Sequence, residues 1–104
     1  MTLSLSLQAY TAELEAYTRA KDSPKGIRIE FPDLPSARHY QARLHQARVL
    51  DRKKNAEIYE KGMPMYGASE FDTLKCGLRE DTDGKFWVYI QKMELALDRI
   101  EEIP

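Results

Sequence analysis

The stretch FDTLKCGLREDTDGKFWVYIQ, Phe71 to Gln91, decides the fold. Leu74, Cys76 and Leu78 alternate with other residues before a polar run ending in Gly84, and Phe86, Val88 and Ile90 alternate after it. A period of two places each apolar triplet on one face of a strand, so the stretch reads as a β-hairpin. A two-residue Asp83-Gly84 turn would pair Leu78 with Tyr89 and set the triplets on opposite faces. A three-residue Thr82-Asp83-Gly84 loop pairs Leu78 with Val88 and Cys76 with Ile90, bringing both triplets to one face. Because a one-residue slip turns every side chain over, burial selects the longer loop. Gly84 then supplies the left-handed residue that such a loop needs. On the other face Lys75, Gly77 and Arg79 lie opposite Gln91, Tyr89 and Trp87, and Arg79 is expected to sit over the Trp87 indole. That face is expected to be covered by an N-terminal helix. Left open, aromatics among cations would suit single-stranded nucleic acid.

Outward from the hairpin, Ile27 to Phe31 also alternates, with Ile27, Ile29 and Phe31 inward, and Pro32 ends the strand. Asp33 or Ser36 can cap the helix that follows, and Pro35 is tolerated in its first turn. Ala37, Tyr40, Leu44 and Ala47 recur at intervals of three and four, which predicts a helix over 35–54 with one buried face. Arg38, Gln41, His45, Arg48 and Arg52 recur beside them on a face expected to be solvated. From Arg38 to Lys54 the charge is +5 in a chain whose total is −1, so the remainder carries −6 and the molecule is electrostatically two-sided. Asp51 and Lys54 fall on the core stripe, where the regular pattern fails. Tyr59 to Tyr66, with Gly62 and Pro64, reads as an irregular connection that either closes one end of the core or offers Tyr59, Met65 and Tyr66 as contact anchors.

Leu3, Leu7, Tyr10, Leu14 and Tyr17 form a heptad-like seam, predicting a helix over 4–21. The seam would pack on the domain's own sheet, the alternative being a homodimer through this helix. Met93, Leu97, Ile100 and Ile103 have helical spacing, predicting a C-terminal helix over 93–103, although Met93, Leu95 and Leu97 also fit a strand. The expected fold is therefore two-layer α+β: a small antiparallel sheet made of strand 27–31 and hairpin 71–91, packed by helices, in a single domain over 1–104.

An apolar share of 42% with 32% charged residues fits a folded domain rather than a disordered chain. The near-neutral charge balance argues against wholesale coating of nucleic acid. Cys76 is the sole cysteine, so no internal disulfide can form, and a cytoplasmic location is expected. No membrane association is expected. Enzymatic chemistry finds little footing. His39 and His45 point about 120° apart around a helix and cannot share a metal. Cys76 falls on a buried strand face without a histidine beside it. Glu80 to Gly84 fails the calcium-loop pattern, since Arg79 and Ile90 would take the first and last ligand places. No catalytic residue, metal or cofactor is expected.

In its strand ending Phe31-Pro32, which leads into an Arg- and Tyr-containing helix, the segment Ile27 to Ile90 resembles small uncharacterised bacteriophage proteins. That resemblance implies an accessory or host-directed protein acting by stoichiometric binding, and it carries over no functional residue. The leading expectation is a non-enzymatic protein that modulates a partner with an acidic surface, such as a phage-type inhibitor of a host enzyme or defence complex. Contact would be made by Arg38, Gln41, His45, Arg48, Arg52, Tyr59, Met65 and Tyr66. The alternative is an accessory protein that binds nucleic acid through the basic helix, using Arg38, Arg48, Arg52 and Lys53 with Lys75, Arg79 and Trp87.

Overall fold

The computed structural model of the protein describes residues 5–93. Its elements are α1 (Leu5–Gln8), α2 (Thr11–Asp22), β1 (Ile27–Phe31), α3 (Leu34–Ile58), β2 (Leu74–Glu80) and β3 (Phe86–Lys92). The strands form one antiparallel sheet in the order β1-β3-β2. The domain is α+β, with the helices and the sheet as its two layers. The C-terminal helix expected over 93–103 lies, from residue 94 onward, outside the described residues.

The hairpin adopts the register that burial selects: Leu78 pairs with Val88 and Cys76 with Ile90. The Asp81 N–H donates to the Lys85 carbonyl at 2.9 Å and closes the Thr82-Asp83-Gly84 loop, with Gly84 at φ +78°. The Asp81 carboxylate accepts from the N–H groups of Asp83 and Lys85 at 2.9 and 3.0 Å, so the loop has its own internal cap. On the other side of β3, Ile27 pairs with Ile90, Ile29 with Val88 and Phe31 with Phe86. All three strands therefore turn their apolar residues to one face.

Helices α2 and α3 cover that face. Tyr17, Leu44, Leu74, Val88 and Ile90 are fully buried, and Ala20, Ala37 and Ala47 keep the helix surfaces low enough for close approach. Each of the large aliphatic side chains contributes about 1.5–3 kcal/mol through its burial.

Two expectations about helix limits need correction. The single N-terminal helix over 4–21 is divided at Ala9-Tyr10 into α1 and α2. There the Gln8 carbonyl accepts from the Thr11 hydroxyl at 2.8 Å, and the Ala9 carbonyl accepts from Arg43 Nη2 at 2.7 Å. These bonds hold carbonyls that would otherwise continue the helical ladder. Arg43 also pairs through Nε with the buried Glu13 at 2.6 Å and lies 4.4 Å over the Tyr10 ring, fastening the break to α3. Within the described part of the seam, Leu7 and Tyr17 are buried while Tyr10 and Leu14 pack against the core, so these four residues serve this chain's own interior.

The basic helix runs to Ile58, one turn beyond the expected end at Lys54. Asp33 caps its start by accepting the Ser36 N–H at 2.8 Å, with Pro35 in the first turn. At its far end the stripe continues through polar residues that are buried and satisfied. Asp51 accepts from the Ser69 hydroxyl at 2.6 Å and pairs with Lys54 at 2.9 Å, and Asn55 Nδ2 donates to the Ala68 carbonyl at 2.6 Å. The connection between α3 and β2 thus packs on the helix through hydrogen bonds instead of aliphatic contacts.

Gly26, between α2 and β1, has φ +80°, and a Cβ there would collide with the Ile90 carbonyl oxygen. Gly84 has the same kind of φ but open space around it. Gly26→Ala should therefore destabilise the fold by about 2 kcal/mol or more, and Gly84→Ala by only about 1–2 kcal/mol. Urea denaturation of the two variants checks this ordering.

Candidate functional site

Strand β2 is an edge of the sheet, and α3 runs alongside it. Between them lies an open groove of about 680 Å³. Arg38, Gln41, Ala42, His45 and Arg48 line it from α3, and Leu74, Lys75 and Cys76 from β2; Tyr17 and Met93 complete the lining. Arg38, Arg48 and Lys75 bring three fixed positive charges, and among the described residues no carboxylate lines the groove.

Arg48 does not stand outward on a solvated face as its spacing suggested. Its Nη2 donates to the Leu74 carbonyl at 2.9 Å and lies 4.0 Å from the Cys76 sulfur, while the guanidinium sits 5.1 Å over the Tyr17 ring. The small neighbour Ala47 is fully buried against the sheet, which brings this part of α3 within reach of the edge strand. Arg48 Nε is buried and has no hydrogen-bond partner among the described residues. A buried N–H left in that state costs about 1–3 kcal/mol, so an acceptor reaching it gains more than one meeting a hydrated donor.

The groove floor is chemically quiet. Burial pushes the Cys76 thiol above its ordinary value of 9.0, outweighing the Tyr17 hydrogen bond and the Arg48 charge that pull it down. The thiol is protonated at neutral pH and a poor nucleophile. The Tyr17 hydroxyl donates to the Leu44 carbonyl at 2.7 Å, and burial holds this phenol in its neutral form.

Arg52 is also turned inward. Its Nε and Nη2 donate to Asp72 Oδ1 at 2.9 and 2.6 Å, and Asp72 Oδ2 accepts the Ser69 N–H at 2.9 Å. This clamp ties α3 to the connection leading into β2. Tyr59 and Tyr66 are exposed on that connection beside Met63, whereas Met65 is half-buried. Arg38, Lys53 and Lys75 are exposed and make no ion pair among the described residues.

The second face of the sheet departs from expectation in two ways. No described helix covers Trp87 and Tyr89, because α2 and α3 both pack on the Val88 and Ile90 side. The guanidinium over Trp87 belongs to Arg28, at 3.9 Å, while Arg79 lies 5.3 Å over Tyr89. Strand β1 supplies the reason: Arg28 pairs directly with Tyr89 and is thereby a diagonal neighbour of Trp87.

The groove thus unites Arg38, Gln41, His45, Arg48 and Lys75. Tyr59 and Tyr66 lie beyond the end of α3, and Trp87 and Arg79 belong to the opposite side of the sheet. Sequence reasoning missed Tyr17 as part of the floor, Asp72 as the Arg52 partner and Arg28 as a ring partner. Only Arg28 had a signal, since its place in an alternating strand already set it on the outward face.

Among the described residues, no group of three or more His, Cys, Asp or Glu side chains is placed to hold a metal ion. No described helix is long and apolar enough to cross a membrane. Comparison with family models, curated proteins and solved structures found no match to this chain.

The Asp72 clamp should be visible in acid. Burial raises the pKa of this carboxyl, but the hydrogen bonds from Arg52 and the Ser69 N–H and the charges of Arg52 and Arg48 outweigh it, leaving the group below the ordinary value of 3.8. A group depressed in the folded state stabilises the fold above its unfolded pKa, and that contribution is lost as pH falls through the folded pKa. Wild-type stability should therefore decline below about pH 3.8. Asp72→Asn should be less stable at neutral pH and decline less steeply in acid. Urea midpoints measured from about pH 7 to about pH 2 make the comparison.

Proposed function

We propose that this chain is a small non-enzymatic binding protein that modulates a macromolecular partner by stoichiometric contact, and that an acidic, extended segment of a partner protein occupies the groove between α3 and β2. One observation carries the reading: three fixed cations line a groove that has no carboxylate among the described residues, and one of them holds a buried Nε with no partner among those residues. Arginine suits such a site because its forked donors engage carboxylates in two bonds at once.

The edge of β2 supports an extended occupant. The Met93 N–H bonds the Thr73 carbonyl and the Asp81 N–H bonds the Lys85 carbonyl, so odd-numbered residues of β2 direct their backbone groups toward β3. Cys76 and Leu78 consequently direct their N–H and C=O groups away from the sheet, along its open edge. A strand added there would find main-chain partners from β2 and carboxylate partners from Arg38, Arg48 and Lys75. The exposed rings of Tyr59 and Tyr66 offer anchors further along α3, where a larger partner would extend. Stoichiometric occupation of a host enzyme or defence complex, as the resemblance to phage proteins implies, is the most concrete setting. On the alternative reading, a phosphate backbone along α3, Arg52 is already committed to Asp72 and Arg48 turns into the groove, leaving Arg38 and Lys53 as outward cations on that flank.

A fluorescent, unstructured peptide of about ten residues rich in Glu and Asp tests the proposal. Micromolar binding that weakens with added salt is expected, with shifts of the Cys76 and Leu78 amide resonances. The double variant Arg38→Glu, Gln41→Glu alters exposed or half-exposed positions of α3 and should weaken binding at least tenfold while remaining folded. Absence of binding at low salt, or equal binding by the variant, rejects the groove as the site.

A further inference from the structure

The sheet face that no described helix covers is a second surface, which shares Lys75 with the groove and otherwise differs from it in make-up. Strand alternation places Arg28 and Glu30 of β1, Trp87, Tyr89 and Gln91 of β3, and Lys75, Gly77 and Arg79 of β2 on this side. We propose that this face binds single-stranded nucleic acid, with Trp87 and Tyr89 taking bases and Arg28, Arg79 and Lys75 taking phosphates.

Four observations support the assignment. First, the aromatics stand two residues apart on the central strand, about 7 Å along it, so each can receive its own base. Second, the Trp87 indole is held before any ligand arrives, since its Nε1 donates to Asp81 Oδ2 at 2.8 Å. A ring already fixed loses little freedom on stacking. A base arriving on either ring takes the place of the guanidinium over it, Arg28 at 3.9 Å over Trp87 or Arg79 at 5.3 Å over Tyr89, and releases that cation to the adjoining phosphate. Third, Gly77 pairs with Tyr89 and leaves open space, since a Cβ there would meet nothing within 4 Å. The sheet is therefore bare beside the Tyr89 ring. Fourth, the charge is one-sided. Glu30 is paired with Lys85 at 3.0 Å and Asp81 is occupied by the indole and the loop N–H groups, whereas Arg28, Lys75 and Arg79 have no carboxylate partner among the described residues.

Other occupants fit less well. The core of a protein interface is depleted of charge, whereas Trp87 and Tyr89 stand among Arg28, Arg79 and Lys75. Two copies placed face to face would bring Arg28, Lys75 and Arg79 against their own equivalents. A three-stranded sheet face is too broad to enter the groove of a duplex, whereas unstacked bases lie across it readily.

Trp87 is the only tryptophan, so its emission reports on this face alone. Full-length protein titrated with single-stranded decamers of dT and of rU should show quenching of Trp87 at micromolar concentration. Log affinity should fall against log salt with a slope of about −2, corresponding to three phosphates released at about −0.7 each. Gly77→Val places a side chain in the open space without breaking a strand preference. It should keep the far-ultraviolet dichroism of the wild type and weaken decamer binding at least tenfold. Arg79→Glu should weaken it by a similar factor. No quenching at about 50 mM salt overturns the proposal, as does equal affinity for a blunt duplex or unchanged binding by Gly77→Val. A native mass of two chains that Trp87→Phe reduces to one would assign the face to a second copy and likewise overturn it. Lys75 borders both surfaces, but the acidic-peptide experiment varies Arg38 and Gln41 of the groove and this one varies Gly77 and Arg79 of the sheet face, so the two results stand apart.

Discussion

Tyr17 is the point at which the separate parts of the molecule are joined. Its ring stacks on Phe71 with centroids 5.1 Å apart, which brings the long connection against α2. Its hydroxyl donates to the Leu44 carbonyl of α3 and lies 3.8 Å from the Cys76 sulfur of β2, while Arg48 covers the ring. One fully buried side chain on α2 therefore fixes the distance of α3 from the edge strand, and with it the width of the groove. A buried tyrosine is tolerable only with its hydroxyl bonded, and here a helix carbonyl provides the acceptor. The groove is accordingly a by-product of core packing, and its floor is as rigid as the core.

Polar groups hold the remainder in place. The connection from Tyr59 to Thr73 proceeds by successive turns, with Met63, Tyr66, Ala68 and Asp72 each donating an N–H to the carbonyl three residues earlier. Such a segment has few apolar contacts with which to stay folded. Asp51, Asn55 and Arg52 on α3 instead reach Ser69, Ala68 and Asp72, and these bonds deliver Phe71 to Tyr17 and Leu74 to the edge of the sheet. The clamp and the groove are thus mechanically related: both depend on the last turns of α3 holding their course.

The hairpin register was legible because two local signals, alternation and a left-handed glycine, agreed with the demand for burial. The location of α3 was legible for the same reason over Ala37 to Ala47. Its last turn was not, because Asp51 and Asn55 become acceptable core residues only through partners thirteen to eighteen positions away, and periodicity carries no trace of them. The side of the sheet covered by the helices was equally hidden. Both faces of the hairpin bear large side chains, and the decision comes from β1, whose three apolar residues join those of β3 only once the strand order is known. The basic flank was visible in sequence. The inward turn of Arg48 and Arg52 was not, since a long side chain can reach either solvent or a neighbouring strand, and its choice depends on what the fold places nearby.

Strand β3 carries two alphabets in alternate positions. Val88 and Ile90 answer to the volume of the interior, and Trp87 and Tyr89 answer to whatever meets the side away from α2 and α3. The two sets pack against different neighbours, because successive side chains along a strand point to opposite faces. An ancestral protein of this architecture could exchange its outward letters repeatedly while its inward letters stayed put. Drift on one side and constancy on the other would then be recorded residue by residue within a single seven-residue strand.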